Sequence, residues 1–149
     1  MSNIFNLPYL GTFTHAFDEK GRLTVPKEWR GEGFESRLVA LPAHDGRGRL
    51  LRVFPGSYLT RQFEKLATMP LDDPRRVSLG NLYAAGQMLI MDTQNRVALR
   101  EDLRRSADLD KSAVLMGAGD HFQLWNPDHF QNLQSSVPTI EQVMREVGL

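Results

Sequence analysis

Two pairs of oppositely charged residues at one spacing carry the chemistry of this 149-residue chain: Asp18 with Arg22, and Asp92 with Arg96. Each pair brackets a short polar segment, Glu19-Lys20-Gly21 in the first and Thr93-Gln94-Asn95 in the second. A carboxylate at the head of such a segment accepts backbone N–H bonds as an Asx turn and pairs with the guanidinium that follows. The chemistry this permits is the presentation of a planar, permanently charged donor fork to a phosphate or a base edge. Gly21 stands where the turn needs a positive φ, and Asn95, the next most tolerant residue, takes that place in the second pair.

Other chemistry finds no constellation. The four histidines, His15, His44, His121 and His129, lack close metal-ligand spacing, and there is no cysteine to help them. Gly117-Ala118-Gly119 begins like a dinucleotide fingerprint, but Phe122 stands where its third glycine belongs. Asp108 and Asp110 open like a calcium loop that neither its glycine nor its closing glutamate completes. A phosphate-cradling Gly-Lys-Ser and a serine nucleophile elbow are both missing. The expectation is a protein that is no enzyme and uses no metal and no cofactor.

The elements that position the charged pairs are themselves repeated. Asp18 and Asp92 lie 74 residues apart (92 − 18), close to half the chain. Leu38-Val39-Ala40-Leu41 is answered by Ala113-Val114-Leu115-Met116, and Val53-Phe54-Pro55 by Leu124-Trp125-Asn126. Each copy reads as a strand, the polar turn, a second strand, a short helix, then two further strands. The divisions that follow are an N-terminal arm over 1–10, a first repeat over 11–67, a helical link over 68–85, a second repeat over 86–130 and a C-terminal helix over 131–149. A half of about 70 residues is marginal alone, so the two halves are expected to share one core.

Within the first repeat, Thr12 to Phe17 alternates as a strand with Phe13, His15 and Phe17 on one face. Leu23 and Val25 continue the alternation into Pro26, which starts a short helix to Arg30; Leu103 and Arg104 match Trp29 and Arg30 in the second copy. Arg37–Leu41 and Leu50–Phe54 read as strands joined by an arginine-bearing loop. Ser57 is the expected cap of a helix with Leu59, Phe63 and Leu66 on its apolar stripe. Asp73-Pro74 opens another, with Leu79, Leu82 and Tyr83 as its buried positions. Near the C-terminus Thr139 and Gln142 form a capping box, Ile140, Val143, Met144 and Val147 share a face, and Gly148 ends the helix; packing on its own chain is the first expectation for that face.

Charge bounds the partners. Eighteen basic and eighteen acidic residues leave no net charge, so a single chain has no overall field to attract phosphate. Local clusters exist at Lys20/Arg22/Lys27/Arg30 and Arg47/Arg49/Arg52, and an ion-paired solvated face explains each as well as an anion site does. With no basic-then-apolar leader pattern and no apolar run of bilayer length, the expected location is the cytoplasm, with no membrane partner.

The segment Asp18-x-x-Gly21-Arg22-Leu23-x-Val25-Pro26-x-x-Trp29-Arg30 resembles the signature of AbrB/SpoVT-type swapped-hairpin DNA-binding domains. Two such units in tandem resemble the MraZ family of bacterial transcriptional regulators, over Gly11 to about Phe130. The resemblance implies a mainly β fold with peripheral α-helices, two hairpin repeats interlocking as a swapped-hairpin β-barrel. It also implies ring-like homo-oligomers on double-stranded DNA carrying short direct repeats, associated with the nucleoid. The implied role is repression of the division and cell-wall gene cluster and of the protein's own promoter. Arg22 then reads as the group that forks onto guanine or phosphate with Asp18 holding it, and Lys20, Lys27 and Arg30 as phosphate contacts. Arg96 with Asp92 is the weaker or structural counterpart, and Gly21 and Asn95 shape the turns. A salt bridge holding the halves together is the competing reading of both pairs. An oligomeric scaffold, or an antitoxin-like module gripping a protein through the terminal helix, is the alternative function.

Overall fold

Alternating apolar and polar residues, punctuated by Gly, Asn and Asp turns, give eight strands, five α-helices and one 3₁₀ turn in residues 8–134 and 138–149, which the computed structural model describes. The first half of the chain runs β1 (Thr12–Ala16), β2 (Arg22–Thr24), the 3₁₀ turn (Lys27–Trp29), β3 (Arg37–Asp45), β4 (Gly48–Pro55) and α1 (Gly56–Leu66). Then come α2 (Pro74–Ala84), β5 (Gln87–Ile90), β6 (Arg96–Ala98), α3 (Glu101–Ser106), β7 (Ser112–Gly117), β8 (Phe122–Trp125), α4 (Pro127–Gln134) and α5 (Ile140–Val147).

The pairing obeys the sequence repeat. A six-stranded antiparallel sheet has the order β1-β7-β8-β4-β3-β5, and β2 pairs with β6 in a separate ribbon. Exchanging every strand for its counterpart, β1 with β5, β2 with β6, β3 with β7 and β4 with β8, turns the sheet order into its own reverse. The register follows: Thr14 opposite Val114 is matched by Met88 opposite Val39. The centres of this pseudo-two-fold are the pairs Leu23 with Val97 and Arg52 with Gln123. Because β1 pairs with β7 and β2 with β6, neither repeat completes its strands alone. The sheet is open at β1 and β5, so among the described residues the strands form an open sheet and a ribbon, not the closed β-barrel expected.

The larger of two buried clusters joins the ribbon to the sheet, and Leu50, Val114, Trp125 and Leu133 form the smaller one. Leu23, Val25, Val97 and Leu99 point inward from the ribbon segments and join Trp29, Leu38, Val53, Leu89, Leu103, Leu115 and Phe122 in one buried cluster. Trp29 packs edge-on against Tyr9 and Phe13, and its indole N–H donates to the Leu10 carbonyl at 2.7 Å. Residues 1–7 of the expected arm lie outside the described residues, but Tyr9 is buried. Its neighbour is the glycine run: a Cβ at Gly117 would lie 2.5 Å from the Tyr9 carbonyl oxygen, and Gly119 N–H donates to that oxygen at 2.9 Å. Close backbone approach is what Gly117 permits, whereas Gly119 supplies a φ of +86°.

Several local expectations need correction. The β3/β4 hairpin runs through the supposed loop to a two-residue turn at Gly46-Arg47, since pairing continues from Leu38 with Pro55 to Asp45 with Gly48. Pro26 precedes its short helix, which is 3₁₀ rather than α. Ser57 does not cap α1; the Glu35 carboxylate does, accepting the Ser57 N–H at 3.0 Å and the Ser57 hydroxyl. Leu59 and Leu66 are buried, but Phe63 is 52% exposed and rests on Tyr83. Leu79, Leu82 and Tyr83 of α2 are only half-buried. The apolar stripe of α5 is not packed on the chain: Ile140, Val143, Met144 and Val147 are all exposed.

Candidate nucleic-acid interface

Each polar turn is built by one carboxylate. Asp18 Oδ1 accepts the backbone N–H groups of Lys20 and Arg22 at 2.9 and 2.8 Å, while Oδ2 accepts Arg22 Nε at 2.6 Å. The second turn repeats this: Asp92 Oδ1 accepts from Gln94 and Arg96 at 2.9 Å each, and Oδ2 from Arg96 Nε at 3.0 Å. Gly21 has φ +73° and Asn95 +64°, so both occupy the left-handed region their types allow. The Arg22 backbone N–H, followed by its guanidinium and the Lys20 N–H, holds the Asp18 carboxyl below the usual carboxylate range against the opposing effect of desolvation. Asp92 is lowered likewise, first by the Arg96 backbone N–H.

Each turn is fixed by the opposite repeat. Leu99 N–H donates to the Gly21 carbonyl at 3.0 Å, and Val25 N–H to the Asn95 carbonyl at 2.9 Å. The β2/β6 ribbon thus carries a turn at each end. Leu23 and Val97 are buried on its inner face, so period-two alternation puts Arg22, Thr24, Arg96 and Ala98 together on the outer face. Thr24 and Ala98 are exposed, and Arg22 and Arg96 flank them half-buried. The outcome is a narrow two-stranded surface with two guanidiniums, each steadied by a carboxylate.

The other candidates fare differently. Lys20 is exposed at the turn tip, and Lys27 is exposed on the 3₁₀ turn. Arg30 folds back, its Nε donating to the Val25 carbonyl at 3.2 Å, and Arg104 does the same to Leu99 at 3.1 Å; both brace their own hairpins. In the second arginine cluster Asp45 takes Arg47 at 2.7 Å and Arg52 at 3.4 Å, so ion pairing accounts for most of it. Gln87 escaped the sequence reading: it donates to the Ala98 carbonyl and accepts the Arg100 N–H, tying β5 to the end of β6. Groups of His, Asp and Glu able to hold a metal are absent among the described residues, and no described helix is long and apolar enough to cross a membrane.

Interleaved antiparallel strands, a shared core and a carboxylate-steadied arginine on each of two alike turns make this a mainly β protein with helices that presents Arg22 and Arg96 on one two-stranded ribbon. Comparison with known proteins gives this class its family. The family model described as "MraZ protein, putative antitoxin-like" matches residues 82–147. A protein named transcriptional regulator MraZ from Thermomicrobium roseum is 30% identical over 139 residues, 90% of this chain and 95% of that one. A protein of the same name from Mycobacterium tuberculosis is 33% identical over 127 residues, 85% and 86% of the two chains, and one from Corynebacterium kroppenstedtii is 30% identical over 128 residues, 85% and 87%. The chain belongs to the MraZ family.

Proposed function

We propose that this chain is a DNA-binding transcriptional regulator, and that the outer face of the β2/β6 ribbon is the surface that meets DNA. The observation carrying this reading is the juxtaposition of Arg22 and Arg96 on one exposed two-stranded face. A β-ribbon fits the major groove, and an arginine held in plane reads guanine O6 and N7 or clasps a phosphate. Lys20 at the tip of the first turn and Lys27 on the 3₁₀ turn beyond β2 supply phosphate contacts, while Arg30 acts through the hairpin it braces. The names of the relatives support the regulatory role.

The two repeats, 11–67 and 86–130 with the link at 68–85, act as swapped hairpins; the self-reversing strand order supports this. A neutral chain gains affinity by multivalency: several copies in a ring engage successive direct repeats, raising avidity by roughly 10²-fold or more. In this reading the protein works in the cytoplasm at the nucleoid, repressing the division and cell-wall gene cluster and its own promoter. The test is binding to the DNA upstream of its own gene, with direct repeats removed one at a time and salt varied. Affinity falling with each repeat lost and steeply with salt is expected; binding indifferent to repeat number overturns the reading.

A further inference from the structure

We propose that the cavity between the outer face of the β3/β4 hairpin and the helices α1 and α2 binds an organic acid, an apolar body carrying a single carboxylate. Period-two alternation sends Ala40, Leu51 and Val53 into the core shared with the ribbon and leaves Leu41, Arg52 and Phe54 on the other side of the sheet. There α1 lays Leu59 and Leu66 over the hairpin, and α2 brings Leu79, Leu82 and Tyr83 as a far wall. A space of about 330 Å³ stays open between them. Small-molecule pockets have this size and this make-up, an apolar lining with a few polar groups.

The fold does not require the space. The second half has the same arrangement, β7 and β8 under α4, and fills it: Trp125 and Leu133 are 0 and 7% exposed and pack with Leu50 and Val114. Carrying the correspondence of Phe54 with Trp125 along the helices sets Gln62 against Leu133. The first half thus has the smaller Phe54 and the polar Gln62, both half-buried and lining the cavity, where the second has the residues that close it. Packed interiors leave few voids larger than a water molecule, so an open apolar space at one of two equivalent places is a built feature.

Charge names the ligand class. Arg52 and Lys65 line the cavity, and no Asp or Glu does. Arg52 makes one long ion pair among the described residues, from Nη2 to Asp45 at 3.4 Å, and Asp45 is already held by Arg47 at 2.7 Å. Lys65 forms no ion pair among the described residues. At the place equivalent to Arg52 the second half carries the neutral, buried Gln123. An apolar wall beside two cations suits an amphipathic anion. With Asp45 taking part of the Arg52 charge, the surplus matches one negative charge better than the roughly two of a phosphate. Tyr83, whose phenol is raised first by burial and then by Tyr58, stays a neutral donor on the same wall.

Isothermal calorimetry of the full-length protein without DNA tests this, with decanoate as the acid and decan-1-ol as its uncharged analogue, both below the concentrations at which they aggregate. Decanoate is expected to saturate at one molecule per chain and to bind roughly tenfold or more tighter than the alcohol. The Arg52→Gln, Lys65→Gln double variant should lose that preference and keep alcohol binding. Gln62→Trp puts bulk where Leu133 closes the other half and should weaken both, with circular dichroism checking the fold, whereas Met144→Glu on the α5 stripe should bind as wild type does. Decanoate that fails to saturate, alcohol bound as tightly as the acid, or acid binding unchanged in both cavity variants overturns the proposal. Loss of binding in Met144→Glu overturns it too, by moving the ligand to the α5 stripe. The sheet separates this cavity from Arg22 and Arg96, so each of these outcomes leaves the DNA reading standing.

Discussion

Arg96 reaches across to the other repeat: its Nη1 lies 3.6 Å from Asp18 Oδ2 while its Nε holds Asp92 at 3.0 Å. Arg22 pairs with Asp18 at 2.6 Å, and no matching ion pair to Asp92 stands among the described residues. The pseudo-two-fold is therefore broken at the turns. Asp18 sits between two guanidiniums, and Arg96 serves as a tie between halves as well as a surface cation.

That asymmetry separates the two arginines by experiment. Arg96→Ala should lower the thermal midpoint more than Arg22→Ala, because it releases two carboxylates instead of one and removes a link between repeats. Pairs this exposed contribute modestly, so scanning calorimetry of both variants beside wild type is the suitable measurement. Equal midpoints would deny Arg96 its structural share.

Acid should unfold the protein through the same turns. The carboxyls of Asp18 and Asp92 are lowered in the folded chain, chiefly by backbone N–H groups of Arg22 and Arg96. A lowered folded value means stability that is present above the ordinary carboxylate range and is lost as pH falls through the folded values. The midpoint of the Asp18→Asn, Asp92→Asn double variant should thus depend less on pH between about 5 and 2 than that of wild type. Parallel curves would remove these carboxylates from the acid response.

The two turn residues should respond unequally to exchange. Gly21→Ala puts a Cβ at φ +73° and 3.0 Å from both the Leu99 carbonyl oxygen and Arg104 Cζ, which should cost about 1–2 kcal/mol or more. Asn95→Gly relaxes a left-handed residue while loosening the unfolded chain, and the two effects offset to within ~0.5 kcal/mol. Urea denaturation of both variants measures the difference.

Much of this molecule is written locally, and what is local was legible. The Asp-to-Arg spacing with Gly21 or Asn95 inside it specifies the turns, because every bond the carboxylate makes lies within four residues; the bonds from Leu99 and Val25 that pin the turns are long-range. The caps of α5 are legible for the same reason. Cap chemistry at α1 was not: the acceptor is Glu35, 22 residues before Ser57, and the sequence beside Ser57 holds no trace of it. Strand exchange is likewise long-range. Nothing near Thr12 states that it will lie opposite Met116; only the internal repeat hints at a shared core. Nor does periodicity distinguish a stripe that is covered, as Leu59 and Leu66 are, from one left bare, as on α5.

The distant cap gives its own test. Glu35→Ala should destabilise the protein by about 1 kcal/mol, the usual worth of a helix cap, and Ser57→Ala by less, since the Ser57 backbone N–H keeps the carboxylate. A larger loss for Ser57→Ala in urea denaturation would return the cap to the serine.

The central claim is that the ribbon face meets DNA through Arg22 and Arg96. Its most direct test is fluorescence anisotropy of the upstream duplex with wild type and with Arg22→Ala, Lys20→Ala and the Arg22→Ala, Arg96→Ala pair, at one salt concentration and with assembled mass checked. A bidentate arginine contact is worth about 1–3 kcal/mol, so Arg22→Ala should weaken binding roughly 10- to 100-fold, Lys20→Ala less, and the double variant most, at unchanged mass. Wild-type affinity in a folded, fully assembled double variant would contradict it.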